Sequence, residues 1–383
     1  MNALRTLLVC SVWTTVACGG GSGPSDPGTD PDDDPGGYSY PVGKVFFSHL
    51  PIGVDSVYLW ESMGALYSPF QEDHGAFRHL QMVPGRTNNS IPVIAPADGQ
   101  VILLWRHPGY DGTVEHAVGL KVSTTIDLLW GHVGRLAEPL ASAAPPLGQS
   151  IDVEIPVQAG DTLGYVANTP LDLAVNDSAY QAAVLHPEFY GPNAASAPLE
   201  DYYREPLRSQ LLSWTVREVP PRTGEYGFDV AGTLSGLWYL QGSDPTQFRL
   251  DHAIHFGYHH LQAHRSVFAD GWAFAQNETG APRIETTFWI RGNPRVEDVT
   301  PASGPVTLEM FSVEQSTVGT APNVTLRDIS GFDTEKETVA VLLVQMLDAE
   351  TVRIERFDGP GISAGDVTGF TENARTYVRD PIG

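Results

Sequence analysis

Five histidines fall within thirteen residues along Asp251-His252-Ala-Ile-His255-Phe-Gly-Tyr-His259-His260-Leu-Gln-Ala-His264. Imidazoles at that density can hold zinc or nickel, or respond to pH. Their spacing argues against one metal centre. On a strand, His252, His260 and His264 point one way and His255 and His259 the other, which splits the donor set. A helix would align His255 with His259, but Ile254, Phe256 and Tyr258 between them suit a strand better. The segment reads as a strand carrying incidental surface histidines. Ser-His-Asp chemistry lacks a Gly-x-Ser-x-Gly elbow in this chain.

The other reactive side chain is a thiol. Both cysteines, Cys10 and Cys18, lie in the first eighteen residues. Arg5 precedes an apolar run from Leu7 to Ala17, too short to span a bilayer as a helix, so residues 1–17 read as an export signal. Thr15-Val-Ala-Cys18 resembles a bacterial lipobox, with Thr15 where leucine is usual. The resemblance implies that Cys18 is diacylated and becomes the first mature residue, anchoring the protein in a membrane without a spanning helix. Gly19 follows, and the absence of Asp there favours the outer membrane.

Residues 18–37 form the tether. Gly19 to Gly37 has no large apolar side chain and carries five aspartates, so it reads as a flexible acidic spacer. Those aspartates lack the spacing of a calcium loop. The whole chain, at 383 residues and formal charge −24, is long enough for two domains and too acidic for a nucleic-acid partner.

Beyond Tyr38 the composition turns globular and rich in Gly, Pro, Val and Thr, which predicts an all-β protein with minor α content. Strands are expected at Lys44–Phe47, Ser56–Trp60, Gln100–Trp105, Ala117–Ser123, Asp127–Gly131, Ile151–Val157 and Thr162–Ala167. Leu207, Leu211 and Trp214 are spaced for one helical face. Pro220-Pro221-Arg-Thr-Gly224 separates a first domain, 38–219, from a second, 225–383. Strands of the second are expected near 232–242, 306–311, 338–347, 351–357 and 375–379, in a barrel-like or sandwich arrangement. Gly236-x-Trp238 resembles the opening of lipocalin-like barrels, without the later motifs of that family.

Three ordered pieces of the first domain carry a further resemblance. They are Ile91-Pro-Val-Ile-Ala-Pro-Ala-Asp-Gly-Gln-Val101, Gly131-His132-Val133 and Val157-Gln-Ala-Gly-Asp-Thr-Leu-Gly-Tyr165. Together they resemble the frame of lysostaphin/LytM-type zinc endopeptidases, which cut peptidoglycan cross-links. The resemblance implies a small antiparallel, barrel-like sheet. It puts His132 at the catalytic histidine beside the metal, and His79 and Asp172 at metal-ligand positions. The remaining pattern departs. Val83 stands where an Asp ligand belongs, and Pro170-Leu-Asp-Leu-Ala174 replaces the His-x-His pair. His107-Pro-Gly-Tyr-Asp111 has the His-x-x-x-Asp spacing but follows the wrong strand and has turn chemistry.

Catalysis of that kind needs three protein ligands and an open position for water. The departures predict no cofactor and a non-catalytic envelope lipoprotein that binds peptidoglycan or serves as an adaptor to another envelope protein. One alternative is an active zinc endopeptidase using His79, His132 and Asp172. Another is a surface protein whose C-terminal domain holds a lipid or glycan.

Overall fold

The computed structural model describes residues 38–66, 68–82, 90–109, 112–245, 249–271, 287–291, 294–312 and 337–382. Cys18, the expected export signal and the expected acidic tether lie outside these residues, as do Val83 and Asp111. The described chain is mostly strand, with two short helices, α1 (Leu140–Ala143) and α2 (Leu207–Leu212).

The first nine strands form one antiparallel sheet. They are β1 (Val57–Glu61), β2 (Gly75–His79), β3 (Pro92–Ile94), β4 (Gly99–Pro108), β5 (Val114–Lys121), β6 (Ile126–Leu136), β7 (Ser150–Val157), β8 (Thr162–Val166) and β9 (Leu171–Asp177). The main path runs β1-β2-β9-β6-β5-β4-β7, while β8 pairs with both β3 and β6. The pieces that carry the peptidase resemblance are thus neighbours in space. Period-two alternation sorts the side chains. Phe77, Trp130, Leu171 and Leu173 are buried on one face, whereas Ala76, Gly131 and Asp172 fall between them on the other. Each fully buried large apolar side chain contributes about 1.5–3 kcal/mol, so this alternation locks the register of the sheet.

Two expectations change here. Lys44–Phe47 is not a strand; it contributes only a bridge from Phe47 to Tyr203. The stretch after Ala167, where no strand is expected, instead contains β9 between β2 and β6. Its apolar positions Leu171, Leu173 and Val175 pack into the sheet core. The expected helical face does pack there too, with Leu211 fully buried and Leu207 and Trp214 beside it.

Eight further strands close a meander barrel: β10 (Gly236–Leu240), β11 (Ala253–Tyr258), β12 (Ser266–Asp270), β13 (Thr287–Ile290), β14 (Val306–Ser312), β15 (Ala340–Met346), β16 (Thr351–Asp358) and β17 (Arg375–Val378). Of the two expected arrangements, the barrel is the one formed. Trp238, Phe256, Phe268, Phe288 and Leu342 fill its interior. The space left beside Asp270, Glu355 and Arg356 is about 20 Å³, no more than a water needs.

At one end Arg379 lies over the Trp238 ring, 4.0 Å from its centroid. It pairs with Asp229 at 2.7 Å and donates to the carbonyls of Leu237, Thr233 and Ser235. Gly236, at φ 120°, is required beneath it, because a Cβ there would sit 1.8 Å from Asp229 Oδ1.

The histidine-rich segment is not a surface strand. His255, His259 and His260 are buried, and β11 ends at Tyr258. Their rings face the contact between barrel and sheet. His255 donates to Pro69 O, and His260 lies 3.5 Å from Glu61 of β1.

Candidate functional site

His132 is the centre of a cluster on the sheet face opposite the core. Strict alternation along β6 would turn it inward beside Trp130. It does not follow, because its φ is 61°. Left-handed backbone costs an ordinary residue about 1–2 kcal/mol, and such strain concentrates at functional positions. The same turn leaves Val133 fully buried next to it. Gly131 makes the space required, since a Cβ there would lie 3.3 Å from Asp172 Cβ.

Both ring nitrogens of His132 are committed to carboxylates. Nδ1–H donates to Glu115 Oε2 at 2.6 Å, and Nε2 lies 3.1 Å from Asp172 Oδ2. Glu115 sits on β5 with no exposed surface, and its other oxygen accepts from Thr169 Oγ1 at 2.8 Å. Burial alone would lower the His132 pKa. The charge and hydrogen bond of Asp172, followed by those of Glu115, overrule it and hold the ring at about 10. His132 is therefore an imidazolium at neutral pH.

A second histidine joins the cluster from the segment entering β2. His74 Nε2 is 3.5 Å from Asp172 Oδ2 and 3.4 Å from Glu72 Oε2, and its Nδ1–H donates to Asp73 at 2.8 Å. Burial opposes its charge, but Asp172 and then Asp73 raise its pKa well above the usual value. Asp172 pays for its own burial through the two histidines, and its carboxyl is held far below the ordinary range. Its side chain is 23% exposed and that of His74 26%, so this end of the cluster opens to solvent. Four carboxylates face two imidazoliums, which leaves the cluster net negative.

The structure places the residues singled out in the sequence unequally. His132 and Asp172 meet. His79 does not join them. Ala76 is the β2 residue paired with Asp172, and His79 lies three positions further, about 10 Å along the strand. The odd offset also turns it onto the core face, where it has no exposed surface. There its Nε2–H donates to Thr169 O at 3.0 Å. Burial lowers its pKa to about 4, so it is neutral. His107 approaches from β4 with its ring 6.1 Å from that of His132 and its Nδ1–H on Pro108 O.

The donor set implied for zinc thus fails a direct test. One member is sealed on the wrong face, and Pro170 offers no side-chain donor. No group of three or more His, Cys, Asp or Glu among the described residues is arranged to hold a metal. No step through zinc follows from this arrangement. Sequence reasoning also missed Glu115, His74, Glu72, Asp73 and Thr169. The Glu72-Asp73-His74-Gly75 run carried a usable signal, being three titratable groups ahead of a glycine that enters a strand. Glu115 carried none.

No family model matches the chain, and no curated protein matches it. Among solved structures it is similar to a mutant of the catalytic domain of the prophage-encoded M23 protein EnpA from Enterococcus faecalis. That likeness has 16% identity and a TM-score of 0.23, over 40% of this chain and 92% of that one. At this level it carries no argument about function, which rests on the cluster itself.

Proposed function

We propose that this chain is a lipid-anchored protein of the bacterial envelope whose first domain uses a lysostaphin-like frame to bind peptidoglycan without cutting it. The observation that carries the reading is the state of His132. With Nδ1 on Glu115 at 2.6 Å and Nε2 3.1 Å from Asp172, both ring nitrogens face carboxylates that raise its pKa, which disfavours a general-base role at neutral pH. It acts as a fixed charge that orients Asp172. The exposed edge of Asp172, with Glu72 and Asp73, leaves excess negative charge at the mouth of the cluster. A peptide presenting a protonated amine, as a wall stem peptide can, matches that charge and its hydrogen-bond acceptors. Retention by the wall and an acylated Cys18 together suit an adaptor held between membrane and peptidoglycan.

Co-sedimentation with purified sacculi tests the reading. The protein should pellet with the wall material, release no peptides with or without zinc, and lose most of its binding on Asp172→Asn. Zinc-dependent release of peptides that disappears on His132→Ala overturns it in favour of the endopeptidase. For the anchor, radiolabelled palmitate should enter the native protein and not the Cys18→Ala variant. The filled barrel interior gives the lipid- or glycan-carrier reading little support.

A further inference from the structure

The connection between β1 and β2 begins at Ser62, crosses to the barrel, and returns as Glu72-Asp73-His74. Several of its described residues are tied to the barrel or to the chain leading into it. Leu66 is buried against Phe228, Val267, Trp289 and Phe311, and its carbonyl accepts from Thr287 Oγ1 at 2.9 Å. Pro69 O accepts from His255 Nδ1 at 2.9 Å, and Phe70 packs on the outer barrel side chains Leu237 and Tyr239. Gln71 closes the excursion. Its Nε2 donates to Gly64 O at 2.9 Å and Glu225 O at 3.1 Å, and its Oε1 accepts from Gly227 N at 2.6 Å. Gly64 and Glu72 are then joined by a backbone bond of 2.9 Å, as are Glu72 and Ala65.

We infer that the barrel is a positioning element of the sheet's acidic cluster, with Leu66 and Gln71 as the positioning residues that hold His74 against Asp172. The two halves of the cluster are fixed by different means. His132, Glu115 and Asp172 stand on paired strands of one sheet and need nothing outside it. His74 lies between Gly75, which pairs with Leu173 in the sheet, and the arm, so the sheet holds one side of it and the arm, placed by the barrel, the other. This coupling depends on where His74 stands and not on which ligand the cluster takes, so it survives or fails apart from the peptidoglycan reading.

Histidine-labelled NMR and amide exchange on the full chain, without any ligand, test it. Leu66→Ala and Gln71→Ala should speed exchange of the Glu72 amide about tenfold and move the His74 ring resonances to those of a solvated histidine. The low-field Nδ1 proton of His132 on Glu115 should stay where it is. Leu66→Met, which keeps the apolar contact, should restore the native His74 signals. Thr287→Val removes only one hydrogen bond and serves if the larger truncations do not fold; it should give a smaller change of the same kind. Folded variants in which the His74 signals do not move overturn the inference. So does a shift of His74 and His132 together, which would mean general loosening of the sheet.

Discussion

Two buried ion pairs in this protein have nearly the same length and opposite uses. Arg379 and Asp229 are 2.7 Å apart, and His132 and Glu115 are 2.6 Å apart. The first pair is sealed, with side chains 2% and 3% exposed. Asp229 there also accepts from Leu185 N, Tyr190 Oη and Leu237 N, so one charge meets one charge and the remaining valences go to backbone and phenol. The second pair continues through Asp172 to His74, Glu72 and Asp73, and ends in solvent with carboxylates in excess. Charge balance and an open end separate a structural pair from a binding site; length does not.

Several substitutions can break or sharpen that contrast. Arg379→Met should have the largest effect on stability, a loss of about 3–5 kcal/mol in urea unfolding, because it strands a buried Asp229. A loss below about 1 kcal/mol would mean that Asp229 is solvated and that the sealed pair is misjudged. Glu115→Gln should cost about 1–3 kcal/mol, since it leaves Thr169 and His132 with a weaker acceptor, and NMR titration should find the His132 pKa reduced.

The pH dependence follows from signs. The folded pKa of His132 lies near 10, above an unfolded value of about 6.5. Its contribution is complete below about 6.5 and fades as pH rises through about 10. His79 works the other way. Its folded pKa near 4 makes the protein lose stability as pH falls from about 6.5 towards 4. Thermal melts across this range should peak near neutrality, and His79→Gln should make the acid limb shallower without removing it, because His255 and His259 are also buried with lowered pKa values. Asp172→Asn should cost somewhat less, about 1–2 kcal/mol, because it removes the charge that holds His132 and His74 protonated while partial solvation reduces the loss. Its larger effect belongs to sacculus binding, and a large stability loss with normal binding would make this cluster a second structural pair.

Much of the fold was legible along the chain. Gln100–Trp105 and Asp127–Gly131 lie on observed strands and Thr162–Ala167 overruns β8 by one residue, because alternating apolar residues bounded by Gly and Pro report a half-buried strand locally. β9 was not legible, since Leu171-Asp-Leu-Ala-Val-Asn-Asp177 follows a proline and carries two carboxylates. Only its partners β2 and β6 make its alternation matter. The histidines of 252–264 misled for a related reason. A strand pattern says which side chains share a face, but not that the outer face of a barrel will be covered by Leu66 and Phe70.

The chain by itself determined the all-β class, the strands of the frame, and His132 and Asp172 as a pair worth following. Each of those is written in local pattern. Tertiary structure decided that His74 meets Asp172 while His79 does not. It also decided that Glu115 stands behind His132, and that the arm carrying His74 is held from the barrel. These depend on pairing register and packing between segments that are 17 to 221 residues apart. A one-residue change of register moves a side chain to the opposite face, and no spacing within a single segment encodes it.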